Sequence, residues 1–290
     1  MTAYSGRPRR RGRRILLAVL VLALAGALFL LDQQNRIQVE EITVSSPRLP
    51  SALDGLKIVQ VSDLHGKTFG AESKKLLRAV AAQRPDLIAI TGDLIEDPKE
   101  LAMVPALAAG LAKIAPTYYV TGNHEWSLRL VPELYEILRE NGVQPLSNEH
   151  VLFERNGASL VVAGVEDPNG PYDQKTPMQV MAAARAAAED PFVLLLAHRN
   201  NPLSFHFPGA ADLTLCGHGH GGILRYYSPF SHQWEGLLGT DRRFFPKNTA
   251  GLWATGDGEA GFISRGLGNV GMSLRVFNRP HLPVITLKTQ

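Results

Sequence analysis

Five times along this chain an apolar run ends in a turn that carries carboxylate, amide or imidazole side chains. These are Asp63 and His65 in VSDLHG, Asp93 in ITGD, Asn123 and His124 in VTGNHE, His198 in LLLAH, and His218 and His220 in LCGHGHGG. In open α/β sheets, functional groups gather beyond the carboxyl ends of strands. A chain punctuated in this way is therefore constrained to a fold that brings five strand ends to one edge.

The intervening sequence supports such a fold. Apolar runs at 57–62, 86–91, 117–121, 159–165, 191–197, 212–216, 261–264 and 284–287 have the length and composition of buried strands, and a shorter piece lies at 39–44. Helical stretches are expected at about 72–83, 99–113, 131–141 and 177–189, the last with Thr176 as N-cap and Pro177 at its first position. Strands alternating with amphipathic helices predict an α/β domain with buried sheets.

Taken singly, each motif has an ordinary explanation. Asp-x-His is commonly a turn or cap, Gly-Asp a turn, and a lone interior histidine a hydrogen-bonded one. Two imidazoles in the glycine loop Gly217-His218-Gly219-His220 have little structural use. Asp63 and His65, two apart in an extended segment, project to one side and can hold one ion. Asp93 has two oxygens with which to bridge two cations. The joint occurrence points to a metal site. His150, His206, His232 and His281 lie outside the pattern and are assigned structural or surface roles.

Charge narrows the function classes. The chain has 290 residues and a formal charge of +3. Residues 1–14 hold six arginines and no acid; without them 24 basic side chains face 27 acids, so the remainder carries about −3. Basicity is thus confined to the tail, and no nucleic-acid groove is expected. Cys216 is the only cysteine, which excludes an internal disulfide and a thiolate cluster.

Residues 15–31 contain no charge and no proline, the lower end of what spans a bilayer as a helix. Ala23-Leu24-Ala25 offers an alternative as a signal-peptide cleavage site, and Arg13-Arg14 loosely resembles a twin-arginine export signal. The apolar run continues to Leu31, which favours an uncleaved anchor. The expected organisation is a basic cytoplasmic tail at 1–14, a transmembrane signal anchor at 15–31, a tether at 32–50 and one domain at 51–290. The positive-inside rule puts that domain on the extracytoplasmic side of the plasma (inner) membrane.

As a set, Asp63-x-His65, Gly92-Asp93, Gly122-Asn123-His124-Glu125, His198 and Gly217-His218-x-His220 resemble the signature blocks of the calcineurin-like metallophosphoesterases, over about residues 56–287. The tail, with Ser264-Arg265-Gly266-Leu267-Gly268, Leu274-Arg275 and Pro280, resembles the membrane-anchored bacterial phosphodiesterase branch, which includes enzymes acting on UDP-2,3-diacylglucosamine. The resemblance implies an α/β four-layer fold, two packed mixed β-sheets flanked by helices. It implies one divalent ion held by Asp63, His65, Asp93 and His220, and a second held by Asp93, Asn123, His198 and His218. A hydroxide bridging the two ions would attack phosphorus, with His124 as the catalytic group that stabilises or protonates the leaving oxygen. Mixed nitrogen and oxygen donors suit Mn, Fe or Zn.

Two departures stand out. The branch usually has threonine and glutamine where Gly219 and Ile223 stand. The Asp-Arg-Gly triplet of the protein-phosphatase branch is absent, since Leu94, Ile95, Glu96, Asp97 and Pro98 follow Asp93. The expected substrate is a lipid- or nucleotide-linked phosphodiester or pyrophosphate. The competing readings are an anchored, catalytically weak scaffold and a nuclease of the same fold. The stretch 223–253, with Tyr226, Tyr227, Phe230, Trp234, Phe244, Phe245 and Trp253 beside Arg225, Arg242 and Arg243, is either a lipid-contacting lid or a loop packing its own aromatics.

Overall fold

The computed structural model describes residues 8–200, 211–240, 242–254, 259–269 and 274–290; Arg7 of the tail and His206 lie outside the described residues. In chain order the elements are α1 (Pro8–Asn35), β1 (Gln38–Ser46), β2 (Lys57–Val61), α2 (Lys74–Gln83), β3 (Leu87–Thr91), α3 (Val104–Ala112), β4 (Thr117–Val120), α4 (Asn123–Leu128), α5 (Val131–Glu140), β5 (Val143–Pro145), β6 (Glu149–Arg155), β7 (Ala158–Gly164), α6 (Pro177–Arg185), β8 (Val193–Leu196), β9 (Leu213–Cys216), β10 (Leu224–Ser228), β11 (Gln233–Leu238), β12 (Gly251–Ala254), β13 (Ala260–Ile263) and β14 (His281–Thr289).

Among the described residues the strands form two six-stranded mixed sheets and one hairpin. The first sheet has the order β1-β14-β2-β3-β4-β5, the second β12-β13-β9-β8-β7-β6, and β10 pairs with β11. Strands β2, β3 and β4 run parallel to one another, as do β7, β8, β9 and β13.

Alternation along the strands shows how the layers pack. Ile58, Leu87 and Ala89 of the first sheet meet Leu160, Val162, Leu194, Leu196, Leu213 and Leu215 of the second in one buried core. Their neighbours Val59, Val61, Ile88 and Ile90 face the other way, onto α2, α3 and α5. Val161, Ala163, Val193 and Leu195 likewise face α6. Both faces of each sheet are therefore covered, which is why the strands read as continuous apolar runs. Helix, sheet, sheet, helix is the four-layer arrangement expected.

Some boundaries moved. The helix expected at 99–113 is a 3-10 turn, Pro98–Met103, capped by Asp97 and followed by α3. The helix from Pro177 begins as expected, with the Thr176 hydroxyl accepting from the Gln179 amide at 3.3 Å, but ends at Arg185. Residues 32–50, expected as a tether merging into the first edge of the domain with a strand-like piece at 39–44, hold the end of α1 and the whole of β1. Helix α1 continues to Asn35, β1 pairs residue for residue with β14, and Leu49 is buried. A parallel partner some 240 residues away leaves no local trace in sequence. The segment Gly12–Asn35 is long and apolar enough to cross a membrane; its most apolar stretch is not buried within the protein, whereas Gln33 near its end is.

Leu194, fully buried between the sheets, tests this packing. Leu194→Ala should lower the unfolding free energy by about 2–5 kcal/mol, read as the urea midpoint of the full chain in neutral detergent. Leu152→Ala, at a side chain 47% exposed, should change it by less than about 0.5 kcal/mol.

Candidate metal centre

Each candidate donor follows a strand end: Asp63 and His65 follow β2, Asp93 follows β3, Asn123 and His124 open α4 after β4, His198 follows β8, and His218 and His220 follow β9. Because β2, β3 and β4 are parallel, as are β8 and β9, all five turns emerge at one edge. The two sheets are joined there by polar contacts. Gln60 Nε2 donates to Thr91 Oγ1 at 2.9 Å and to the Cys216 carbonyl at 2.8 Å, and His198 Nδ1 lies 2.9 Å from the Thr91 carbonyl.

The turns reverse sharply. Asp63, His65, Asp93, His218 and His220 all have φ between 46° and 64°, the left-handed region that non-glycine residues enter at a cost of roughly 1–3 kcal/mol each. The turn at Gly92 (φ 83°) has no room for a side chain: a Cβ would lie 2.6 Å from the Gly122 nitrogen and 2.7 Å from His198 Nδ1. Gly219 is equally confined, since a Cβ would lie 2.7 Å from the Thr249 carbonyl.

Three overlapping donor clusters result: Asp63, His65 and His220; His65, Asp93 and His124; Asp93, His198 and His218. Asp63, Asp93 and His198 are at most 1% exposed. His65 Nε2 and His220 Nε2 face each other at 3.2 Å, and His198 Nε2 lies 3.2 Å from both His218 Nδ1 and Asn123 Oδ1. Asp93 Oδ2 is 3.1 Å from His198 Nε2 and 3.7 Å from His65 Nε2, and Asp63 Oδ1 is 3.3 Å from His220 Nε2. The His124 ring stacks edge-on against His65 with centroids 4.8 Å apart, and its side chain is 28% exposed, more open than its neighbours.

Burial shapes the protonation. It pushes His65 down to about 3 and His218 down to about 4, and takes His220 well below its ordinary value, so these rings present lone pairs. Burial also opposes the His198 imidazolium, but the Asp93 carboxylate pushes it up to about 10. Asp63 is raised, chiefly by burial, to about 6. Burial works to raise Asp93 too, yet the neighbouring His198, His65 and His124 hold it below the usual carboxylate range. Paired imidazole nitrogens aimed at each other beside buried carboxylates fit a divalent cation well. The donor set is nitrogen and oxygen only. Cys216 is buried and belongs to none of the three clusters.

Several supporting residues escaped the sequence reading. Glu125, quoted there only as part of a motif, is fully buried and accepts from the Asp93, Leu94 and Gly122 amides at 3.2, 2.6 and 2.8 Å. An acid at the third position of a helix was the available signal. Ser62 donates to Asp63 Oδ2 at 2.5 Å. Asp167 holds Arg199 through contacts of 2.7 and 3.2 Å, and Arg199 Nη1 lies 3.1 Å from His218 Nε2; these residues are 32 apart and carry no shared motif. His281, assigned a structural or surface role, is buried with Nε2 3.0 Å from Glu40. Across 223–253 the rings pack on one another, as in Tyr227–Trp234 and Tyr226–Phe245, while Phe230 at the hairpin turn is 95% exposed.

The family model described as calcineurin-like phosphoesterase matches residues 56–222, a span that holds every candidate donor and His124. An uncharacterized metallophosphoesterase of Bacillus subtilis, YkoQ, is 26% identical over 92% of this chain and 97% of its own length. An uncharacterized metallophosphoesterase of Aquifex aeolicus is 27% identical over 87% of this chain and 92% of its own. A transmembrane protein with metallophosphoesterase domain of Bos taurus is 29% identical over 97% of this chain, which spans 64% of that longer protein.

Glu125→Ala orphans three buried N–H groups, each worth about 1–3 kcal/mol. It should lower the urea midpoint of the full chain well beyond the Leu152→Ala control. A midpoint equal to the parent's would show that the turn does not depend on this carboxylate.

Proposed function

The chain belongs to the calcineurin-like phosphoesterase family, which implies a phosphoester hydrolase, and from that premise we propose a membrane-anchored, two-metal phosphodiesterase acting on a lipid- or nucleotide-linked phosphodiester or pyrophosphate. The observation that carries this reading is the position of Asp93, whose carboxylate belongs to two donor clusters at once. One ion would be held by Asp63, His65, Asp93 and His220, and the second by Asp93, Asn123, His198 and His218. Mn, Fe and Zn suit these donors.

When bound, the two ions supply Lewis acidity that makes water a nucleophile and offsets charge on the phosphoryl oxygens. The chain's own residues hold that arrangement rigid. Glu125 fixes the Asp93 turn, and the Asp93 carboxylate in turn accepts the His124 amide at 3.0 Å. That bond sets the base of the His124 side chain while leaving its ring partly open. The His124 imidazole then delivers a proton to, or hydrogen-bonds, the leaving oxygen. Arg199, clamped by Asp167, adds a fixed positive charge at the rim beside His218.

A phosphodiester is favoured over a phosphoprotein because the arginine that would follow Asp93 in the protein-phosphatase triplet is absent. A membrane location is supported by α1 and by the transmembrane relatives. Six arginines before the span favour a cytoplasmic tail and an extracytoplasmic domain at the plasma membrane. A nuclease is disfavoured by the net negative charge beyond the tail.

The test is hydrolysis of bis-p-nitrophenyl phosphate against p-nitrophenyl phosphate by metal-stripped full chain, with Mn, Fe, Zn or Mg added back. Diester cleavage restored by Mn and abolished in Asp93→Asn is the expected result. Cleavage of the monoester alone would overturn the diesterase assignment, and a folded chain inactive with every ion would favour the scaffold. His124→Ala should lower turnover by about 10²–10⁴-fold while metal content, read by mass spectrometry, stays near the parent's. Equal losses of both would make His124 a ligand.

A further inference from the structure

Where α1 meets the domain, the structure forms an open cavity of about 670 Å³ that none of the seven candidate donors lines. Its walls include Arg225, Arg265 and Arg279, with Glu40, Trp234 and Phe277. The end of α1 is fastened at this place. Arg279 Nη2 meets Asp32 at 2.5 Å, Lys67 Nζ donates to the Gln34 carbonyl at 2.5 Å, and Phe29 packs on Phe277 with centroids 5.4 Å apart.

Two of these guanidiniums are incompletely answered within the chain. Arg265, 6% exposed, donates to Glu40 Oε2 at 2.8 Å and to Gln38 Oε1 at 3.1 Å, but its Nε has no partner. Arg225 donates to the Trp234 carbonyl at 2.5 Å, and its Nε is likewise buried without one. Buried guanidinium donors normally find acceptors. Glu40 is one neighbouring counter-charge, held ionised down to about 2, first by the hydrogen bond from His281. Asp32 is the other. Three guanidiniums against two carboxylates leave the place net positive.

The apolar surroundings match an amphiphile. Phe29, Trp234 and Phe277 are 38%, 45% and 51% exposed, and Leu24, Leu28 and Leu31 of α1 are 61%, 58% and 59% exposed. Aromatic side chains with one apolar and one wet side sit at membrane interfaces.

We propose that this cavity binds the phosphate headgroup of an anionic phospholipid, with the acyl chains running along α1. The headgroup oxygens accept from Arg225 and Arg265, as phosphate does from guanidinium elsewhere, and the rings line the start of the chains. The proposal rests on the anchor reading of α1 and not on hydrolysis, so loss of one is distinguishable from loss of the other. Release of the full chain from membranes by alkaline carbonate would sink the anchor reading by itself.

The experiment follows tryptophan fluorescence of the full chain in neutral detergent during titration with phosphatidylglycerol bearing brominated acyl chains. Saturable quenching is expected, diminished in Trp234→Phe, and absent with brominated phosphatidylcholine at the same concentrations. Arg225→Gln should raise the half-saturation concentration at least about tenfold, the equivalent of one lost charge-assisted contact. If that variant does not fold, Arg279→Gln at the cavity rim is read by the same criterion. Equal quenching by the two lipids, or an unchanged half-saturation in the folded variant, overturns the proposal. Competition by soluble glycerol phosphate at concentrations equal to the lipid's would also overturn it, by showing a free-anion site.

Discussion

The Asp93 carboxylate is the group on which the arrangement of the other donors depends. It is 1% exposed, and a buried charge is tolerated only when it is paired and hydrogen-bonded. The chain meets that demand from four directions. The amide of His124 reaches one oxygen, the rings of His198, His65 and His124 surround the other, and the Asp93 carbonyl takes the His65 amide at 3.0 Å. Behind it, Glu125 holds the Asp93 amide. Every loop that supplies these groups follows a strand of one sheet or the other, so the carboxylate registers the two sheets at their functional edge.

The cost of that registration appears in the backbone. Five of the seven candidate donors occupy left-handed φ, and at roughly 1–3 kcal/mol each such strain persists only where the surroundings over-determine it. They do so here. The strands preceding the turns are buried on both faces, and Gly92 allows two backbone segments to approach within contact. A donor set held in this way loses little freedom when it closes on a cation or a phosphate, which is the physical content of preorganisation.

Legibility in the sequence followed the range of the interactions. The five strand ends and the candidate donors after them could be read because composition is local: an apolar run followed by Asp, Asn or His. Helices with caps, such as that at Thr176, were readable for the same reason. What escaped depends on distant partners. The strand piece at 39–44 was legible but its pairing with β14 was not, and neither was the hold of Asp167 on Arg199 or the approach of His281 to Glu40. The short strands β5, β10, β11 and β12 lie in stretches too brief or too mixed in polarity for a period to declare itself. Glu125 was visible yet unassigned, because a helix-capping acid and an acid that orients a functional turn look alike until the turn is seen.

The C-terminal segment connects these two scales. The Gly266 backbone packs against Asp63, and the Arg275 guanidinium donates to the Gly268 and Arg265 carbonyls beneath it. Asn278 reaches across to the carbonyls of His220 and Gly222 at 2.8 and 2.5 Å. The next residue, Arg279, grips Asp32 at the end of α1. One short stretch therefore supports the histidine loop with one side chain and holds the apolar helix with the adjacent one. The domain therefore does not hang from α1 by a loose leash: the end of the apolar helix and the candidate donor edge are fastened to the same short stretch. Two adjacent side chains, Asn278 and Arg279, thus tie the position of the helix end to that of the histidine loop, so a displacement of one is felt at the other.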